Sequence, residues 1–209
     1  MKLYYSDVLA PRKACAVAKY LGSDVEFIYL DLTIGEHRTP SYLALNPNGH
    51  VPTLTDGDHV VWEADAIICY LAERAGSDLW PHDRQRQIEV IRWLSWNSQH
   101  FLRCGGGLYF EYIIKARFGL GAPDAAAVEE ALADFRRRAA ILNSHLAGRS
   151  WLLGDAPTVA DFSVAIALPY AAQAHMPVDE FPEVRRWHDQ LNEFEAWREP
   201  FAVKYTAEA

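Results

Sequence analysis

The chain has 209 residues, half of them hydrophobic, which is enough for one large or two small domains with sizeable cores. Its net charge of −8 argues against nucleic-acid binding through a basic face. No apolar run approaches the ~18 residues of a membrane span, and the first residues resemble a strand rather than a signal peptide. We therefore expect a cytoplasmic protein without membrane association.

The cysteines and histidines give no metal-binding or disulfide pattern. Cys15, Cys69 and Cys104 form no C-x-x-C pair, which predicts a reducing compartment and no zinc site. The eight histidines show no metal-ligand spacing either, so no metal is expected. Cys15 and Cys69 each lie among apolar residues of a predicted helix, where a buried core thiol is expected rather than a nucleophile.

The first part of the chain alternates strands with helices. A strand at Leu3–Tyr5 precedes a helix that has Pro11 at its start and ends at Gly22. The pattern continues with a strand over Val25–Leu32, a short helix from Thr39-Pro40, two strands around the Asp56–Asp58 turn, and a helix after Glu63. This order predicts a thioredoxin-like α/β domain, which binds ligands beyond its strand ends and near helix starts.

One stretch of this domain, Asn46–Leu54, has the residues of a ligand-binding turn. Pro52 is placed as the first residue of a strand, where its missing N–H does no harm. The backbone groups of Val51 are then able to pair with an extended peptide as an added strand would. From the residues alone an ordinary trans proline is expected, and Glu63 and Asp65 are explained equally well as charges that suit a helix start.

After a linker-like stretch at Gly76–Pro81, the pattern is helical throughout. A helix is predicted from Arg84 to about Arg103, and the following glycine triplet predicts a kink or a close packing contact. Thr158 and Asp161 form a variant capping box, followed by an almost wholly apolar helix from Phe162 to Ala174.

Three segments together resemble a known family. Asn46–Pro52 matches an N-P-x-G-x-V-P motif, Glu63–Ile67 is similar to E-S-x-A-I, and Leu152–Asp161 matches L-x-G-x-x-x-T-x-A-D. These are motifs of the cytosolic glutathione transferases, and the chain looks like a bacterial, theta- or beta-like member. The resemblance implies a thioredoxin-like domain at 1–78, a linker at 79–85 and an all-α domain at 86–209. It also implies that Pro52 is cis.

The resemblance further implies a site for glutathione, an acidic tripeptide with a thiol. The main chain of Val51, held beside Pro52, would pair with the cysteinyl backbone. Glu63 would hold the γ-glutamyl ammonium, and the Ala64 amide would hold the γ-glutamyl carboxylate.

The resemblance also implies basic residues for the glycine carboxylate, and the chain departs from the family motif at one position. His37 and His50 stand where relatives place basic or polar residues for the glycine carboxylate. Ala64 replaces the usual serine, which removes a hydroxyl worth about 0.5–1.5 kcal/mol. Asp65 or a group of a partner subunit is expected to compensate.

The catalytic group departs from the family pattern as well. Relatives carry a Ser, Cys or Tyr in the first strand–helix loop, whereas Val8–Pro11 has neither a hydroxyl nor a thiol. The remaining candidates are Tyr5, Ser6 and Arg12, with Arg12 ranked first because its charge would stabilise a thiolate. The amides at the helix start are the alternative.

The resemblance implies a homodimeric detoxification enzyme that transfers the thiolate of glutathione to a small apolar electrophile. Predicted pocket residues are Trp96, His100, Arg103, Tyr109, Phe110 and Tyr112, although the aromatic ones fit a core or subunit contact equally well. A glutathione-dependent peroxidase, disulfide reductase or isomerase is one alternative. A binding protein without turnover is another, since fold does not imply function.

Overall fold

The structure is a computed structural model that describes residues 1–201. The chain divides into two compact units: Met1–Ser77 together with the C-terminal segment from Phe194, and Asp78–Glu193. The predicted domain limits had placed this C-terminal segment in the helical domain. Here the segment packs on the first helix instead, with the ring of Phe194 5.0 Å from that of Tyr20. Contacts between residues so distant in sequence leave no local pattern.

The first unit has the predicted thioredoxin-like order. Its elements are β1 (Lys2–Tyr5), α1 (Leu9–Tyr20), β2 (Glu26–Tyr29), α2 (Pro40–Leu43), β3 (Thr53–Asp56), β4 (His59–Trp62), α3 (Ala64–Arg74) and, from the C-terminal segment, α10 (Glu195–Arg198). The sheet order is β2-β1-β3-β4, with β1 and β2 parallel and the other two pairs antiparallel.

The strand register gathers the segments of interest at one edge of this sheet. Tyr4 pairs with Thr53, and Thr53 pairs with Trp62. The residues just before β3, just after β4 and just after β1 therefore leave the sheet at the same edge. Tyr5 pairs in parallel with Tyr29, so the loop after β2 also begins there.

The second unit is helical, as predicted. It contains α4 (Arg84–Trp96), α5 (Leu102–Tyr109), α6 (Lys115–Phe118), α7 (Ala125–Leu146), α8 (Val159–Val164) and α9 (Pro182–Leu191). Two π-helical segments, Asn97–Phe101 and Phe110–Ile114, join α4 to α5 and α5 to α6. None of the helices formed by residues 1–201 combines the length and apolar character that crossing a bilayer requires.

The glycine triplet marks a close packing contact. A Cβ atom added at Gly105 would lie 3.0 Å from the Cβ of Ala167, which is tighter than ordinary packing. The helix nevertheless continues through the triplet, since α5 spans Leu102–Tyr109. Of the two expectations from sequence, the close contact is the one observed at Gly105.

The prediction of one apolar helix from Phe162 to Ala174 is wrong. Helix α8 ends at Val164, and a short 3₁₀ helix follows at Leu168–Tyr170. Pro169 is incompatible with a continuous helix through this stretch, because its ring clashes with the carbonyl four residues earlier and it has no N–H to donate.

The capping box predicted at Thr158 and Asp161 is confirmed, and it extends further than predicted. Asp161 is fully buried, and its Oδ2 accepts from the Thr158 N–H at 2.8 Å. Its Oδ1 accepts from the Leu152 N–H at 3.0 Å and from Trp187 Nε1 at 2.9 Å. Burial raises the pKa of Asp161, and these hydrogen bonds oppose that rise. One carboxylate therefore joins the start of α8 to α9 and to the preceding loop.

Replacing this carboxylate should destabilise the second unit strongly. Asp161→Ala leaves three buried N–H groups without an acceptor, so we expect a loss of about 3–5 kcal/mol in the free energy of unfolding. Urea unfolding measures it. Asp179→Ala, which removes an exposed ion pair with Arg185, is the matched control and should change stability by less than about 1 kcal/mol. Equal losses in the two variants would contradict this account of Asp161.

Candidate active site

A network of buried polar side chains fixes the turn before β3. The Tyr42 hydroxyl lies 2.6 Å from the His50 carbonyl oxygen and 2.8 Å from Thr53 Oγ1. Asn46 Nδ2 donates to the same His50 carbonyl at 2.8 Å and to Thr53 Oγ1 at 3.1 Å. The side chains of Tyr42 and Asn46 therefore hold the turn in place. Sequence reasoning did not assign Tyr42 this role, because nothing local signals it.

The Val51–Pro52 peptide bond is cis, as the resemblance implied. Pro52 is buried, and Val51 is half-buried. Among residues 1–201, no backbone hydrogen bond joins Val51 to another residue. Its N–H and C=O are therefore able to pair with the backbone of an extended ligand at this edge of the sheet.

The start of α3 has an unusual backbone. Glu63, the residue before the helix, has φ 72° and ψ 119°, and its carbonyl accepts from the Ile67 N–H at 3.0 Å. A non-glycine residue held at such angles costs about 1–3 kcal/mol and is characteristic of ligand sites. The Glu63 side chain is exposed and does not cap the helix. The first turn of α3 is thus an uncapped helix start beside a carboxylate, a pair that suits a ligand with both an acid and an ammonium.

Asp65 lies in this first turn but is engaged within the fold. Its Oδ1 is 2.5 Å from Nζ of Lys13, a residue of α1. The Lys13 side chain is only 4% exposed and that of Asp65 is 26% exposed. Sequence reasoning named Asp65 as a ligand-binding residue and did not anticipate Lys13, which gives no signal in the sequence.

A basic cluster adjoins the turn on its other side. It contains the predicted His37 and His50 and also Arg38, which sequence reasoning missed. A Cβ atom added at Gly49 would lie 2.9 Å from Arg38 Nη1, so the Arg38 side chain packs against the turn. Nδ1 of His37 is buried and has no hydrogen-bond partner within residues 1–201. Burial lowers the pKa of His37, and its neighbours Arg38 and His50 lower it further. This cluster suits a carboxylate, whose negative charge would favour protonation of His37.

The start of α1 offers backbone amides rather than a reactive side chain. Val8 precedes the helix in an extended conformation, with φ −126° and ψ 175°, and provides no side-chain cap. The first amides of the helix, at Leu9 and Ala10, are therefore not capped by a side chain. With their helix dipole, they form a site that favours a negative charge.

Tyr5 and Ser6 lie within the core of the first unit. The Tyr5 ring stacks on that of Phe201 at 6.0 Å, and burial is the main cause of its raised pKa. A buried phenol with a raised pKa is not ready to form a phenolate. Ser6 is also fully buried, and its Oγ lies 3.5 Å from Asp7 Oδ1.

Arg12 has a packing role in the structure. Its Nη2 donates to the Trp197 carbonyl at 2.5 Å, and its guanidinium carbon lies 5.3 Å from the centre of the Trp197 ring. Arg12 is buried, and these contacts tie α1 to α10. The first-ranked catalytic candidate thus joins two helices of the first unit.

The three cysteine thiols are poorly suited to chemistry. Burial raises the pKa of Cys15, and it raises those of Cys69 and Cys104 to about 12 and about 11. The charge of Asp65 also contributes at Cys69. The thiolate is the reactive form, so none of the three is a nucleophile at neutral pH. The expectation of buried core thiols agrees with the complete burial of Cys15, while Cys69 is partly accessible.

The six predicted pocket residues are dispersed over the second unit. His100 and Arg103 line a cleft of about 540 Å³ between α5 and α7. Trp96 lines a separate apolar cleft of about 250 Å³. Tyr112 borders a third cleft, of about 590 Å³.

The remaining two pocket residues differ in exposure. Tyr109 is buried against Tyr170, with ring centres 4.8 Å apart, whereas Phe110 is 44% exposed. Within the described part of the chain, no group of three or more His, Cys, Asp or Glu side chains is arranged to hold a metal ion.

Comparisons with known sequences identify the same family at both ends of the chain. Residues 3–73 match the sequence model described as glutathione S-transferase, N-terminal domain, and residues 125–190 match glutathione S-transferase, C-terminal domain. Glutathione S-transferase 3 of Zea mays is 36% identical over 197 residues, covering 90% of this chain and 87% of that protein. Glutathione S-transferase D6 of Drosophila melanogaster is 28% identical over 179 residues, covering 85% and 80%.

Solved structures agree with these matches. A structure of glutathione S-transferase III in its apo form superposes with a TM-score of 0.85 at 30% identity, covering 100% of this chain and 98% of that one. A glutathione transferase from Phanerochaete chrysosporium, in complex with oxidized glutathione, has a TM-score of 0.82 at 28% identity, covering 95% and 93%.

The matched sequences do not support the predicted bacterial, theta- or beta-like subclass, because the relatives come from maize, rice and an insect. The match to the Zea mays protein covers 90% of this chain. The chain belongs to the glutathione S-transferase family.

Proposed function

We propose that the protein binds glutathione at the sheet edge of its first unit and transfers the glutathione thiolate to a small apolar electrophile. The observation that carries this proposal is the shared strand register. It brings an unpaired backbone edge at Val51, an uncapped helix start after Glu63 and the first turn of α1 to one edge. These features suit a short peptide that carries an acid, an ammonium and a thiol.

Each end of glutathione has a complementary group at this edge. The cysteinyl backbone would pair with Val51 beside Pro52, and the γ-glutamyl group would lie at Glu63 and the Ala64 amide. The glycine carboxylate would lie near His37, His50 and Arg38. Because position 64 lacks the serine hydroxyl, the γ-glutamyl carboxylate would be bound by backbone amides alone. Its affinity would then depend on the charges in the first turn of α3.

We assign activation of the thiol to the amides at the start of α1. Tyr5 and Ser6 are buried, and the Arg12 guanidinium packs on Trp197, so none of the three candidates from the sequence offers an open polar group. The Leu9 and Ala10 amides and the helix dipole would lower the pKa of a bound thiol by favouring its anion.

The thiol chemistry of the protein also bears on the two alternative functions, glutathione-dependent redox or isomerase activity and binding without turnover. Reduction of a disulfide through a protein cysteine is disfavoured by the raised pKa of all three thiols. Peroxidase, reductase or isomerase activity would therefore have to use the thiol of glutathione itself. A binding protein without turnover would retain glutathione but leave its thiol un-ionised.

Several finer assignments are proposed on the family alone. They are a homodimer, a cytoplasmic location, a role in detoxification, and a subclass near the plant transferases rather than a bacterial one. The electrophile would be held by residues of the second unit, and exposed Phe110 and partly exposed Tyr112 are the proposed contacts.

The decisive measurement is calorimetric titration with glutathione, combined with the thiolate absorbance of the bound ligand as a function of pH. We expect binding with the thiol pKa well below that of free glutathione. Binding with an unshifted thiol pKa would indicate the non-catalytic alternative. Absence of binding at millimolar glutathione would overturn the proposed function.

Adding a hydroxyl where α1 begins should increase turnover. In Val8→Ser the new Oγ would cap the helix, stabilising it by about 1 kcal/mol, and its O–H would donate to the bound thiolate. We expect kcat to rise about tenfold, on the general scale of one added donor to a developing anion. Val8→Ala, which shortens the side chain without a hydroxyl, is the control. If both variants behave alike, the amides at this helix start do not contact the thiol.

The pH dependence of binding should report on His37. Because the pKa of His37 is lowered, the side chain is neutral at pH 7. A bound carboxylate favours the protonated form, so affinity should rise as pH falls through that pKa. S-methylglutathione removes the thiol titration, and its dissociation constant is measured by calorimetry.

His37→Gln should weaken this pH dependence, since glutamine does not titrate. His59→Gln, at the turn end of the β3–β4 hairpin, should leave it unchanged. A pH dependence that is the same in His37→Gln as in the original protein would place the glycine carboxylate away from His37.

A further inference from the structure

A partly buried ion pair links α1 to the first turn of α3, where the γ-glutamyl group is proposed to bind. Lys13 projects from α1, and its Nζ is 2.5 Å from Oδ1 of Asp65 in the first turn of α3. The lysine is almost fully buried, although lysine is among the residues least often found inside proteins. The proposed function gives this pair no role, and the contact joins the two helices whose starts form the site.

The charge of Asp65 is unfavourable for the ligand that this turn is proposed to bind. The γ-glutamyl carboxylate would be held by the same first-turn amides, close to the Asp65 carboxylate. Glu63 adds a second negative charge at the start of the helix. Like charges within a few ångströms repel, and burial strengthens that repulsion because the interior screens charge less than water does.

Lys13 offsets this repulsion because its ammonium contacts one of the two carboxylates. The charges of Lys13 and Asp65 also act on Cys69, one turn further along α3, where Lys13 lowers the thiol pKa and Asp65 raises it. With the Lys13 side chain only 4% exposed and that of Asp65 26% exposed, the pair is largely shielded from solvent. Opposite charges held there interact more strongly than an exposed pair would.

We propose that Lys13 is a positioning residue that neutralises Asp65, so that the first turn of α3 accepts the α-carboxylate of the γ-glutamyl group. This inference rests on the proposed function, because the ligand must carry that carboxylate. Lys13 itself would not contact glutathione and would act only through Asp65.

The first test removes the positive charge. Lys13→Met keeps the length and apolar stem of the side chain but removes the ammonium that contacts Asp65. We expect the dissociation constant and KM for glutathione to rise about tenfold, with kcat changed by less than about twofold. Lys13→Arg keeps the charge and should stay within about threefold of the original protein.

The double variant Lys13→Met/Asp65→Asn separates charge balance from structure. It restores neutrality without restoring the ion pair, so we expect glutathione affinity to return to within about threefold of the original. If the pair served only to hold the helices together, the second substitution would not restore affinity. That result would overturn the inference.

Asp65→Asn alone gives a test that does not depend on the stability of Lys13→Met. Charge balance predicts unchanged or tighter glutathione binding, because a negative charge has been removed from beside the ligand carboxylate. If Asp65 held the ligand ammonium directly, the same substitution would weaken binding. Weaker binding with a normal thermal unfolding curve would therefore also overturn the inference.

A modified ligand isolates the group concerned. In γ-aminobutyryl-cysteinyl-glycine, hydrogen replaces the α-carboxylate of the γ-glutamyl group. Its affinity should be the same, within about twofold, for the original protein and for Lys13→Met, because the repelled charge is gone. An undiminished effect of Lys13→Met on this ligand would contradict the assignment.

A matched control and the starting protein complete the design. Lys2→Met breaks an exposed ion pair with Glu26 in the same unit, and it should leave glutathione binding unchanged. Failure of the original protein to bind glutathione would refute the proposed function itself. Binding by the original protein with no effect of Lys13→Met would refute only the role of Lys13.

Discussion

The antiparallel pairing of β3 with both β1 and β4 is the constraint on which the candidate site depends. Because Thr53 is opposite Tyr4 on one side and Trp62 on the other, three chain segments must leave the sheet at the same edge. Side chains in a sheet alternate between its faces, so a shift of one residue in this register would turn every β3 side chain to the wrong face. Burial of Leu3 and Leu54 opposes such a shift, and the hydrophobic core thereby also fixes the geometry of the site.

Two consecutive basic residues of α1, Arg12 and Lys13, connect this edge to the rest of the first unit. Arg12 donates to the backbone of α10, and Lys13 pairs with Asp65 of α3. Both side chains are buried, and removal of either partner of a buried charge is expected to be destabilising. The helix whose start is proposed to face the thiol is thus held at its first turns by charge as well as by apolar packing.

In the second unit, one buried carboxylate holds several segments of the apolar interior together. Asp161 is entirely buried, yet its two oxygens accept from the backbone of Leu152 and Thr158 and from the Trp187 ring. Local capping alone would require only the contact with Thr158. The other contacts join segments that are up to 26 residues apart, which makes the motif a packing centre as well as a helix start.

The sequence by itself determined the order of strands and helices, the turn before Pro52, the capping box at Thr158 and the family, because each of these follows from local residue patterns. Only the tertiary structure decided the roles of Arg12, Lys13 and the segment from Phe194, since their contacts join residues far apart in the chain. It also separated the predicted pocket residues into different clefts. The sequence shows which residues are charged or aromatic, but tertiary packing determines which residues they contact.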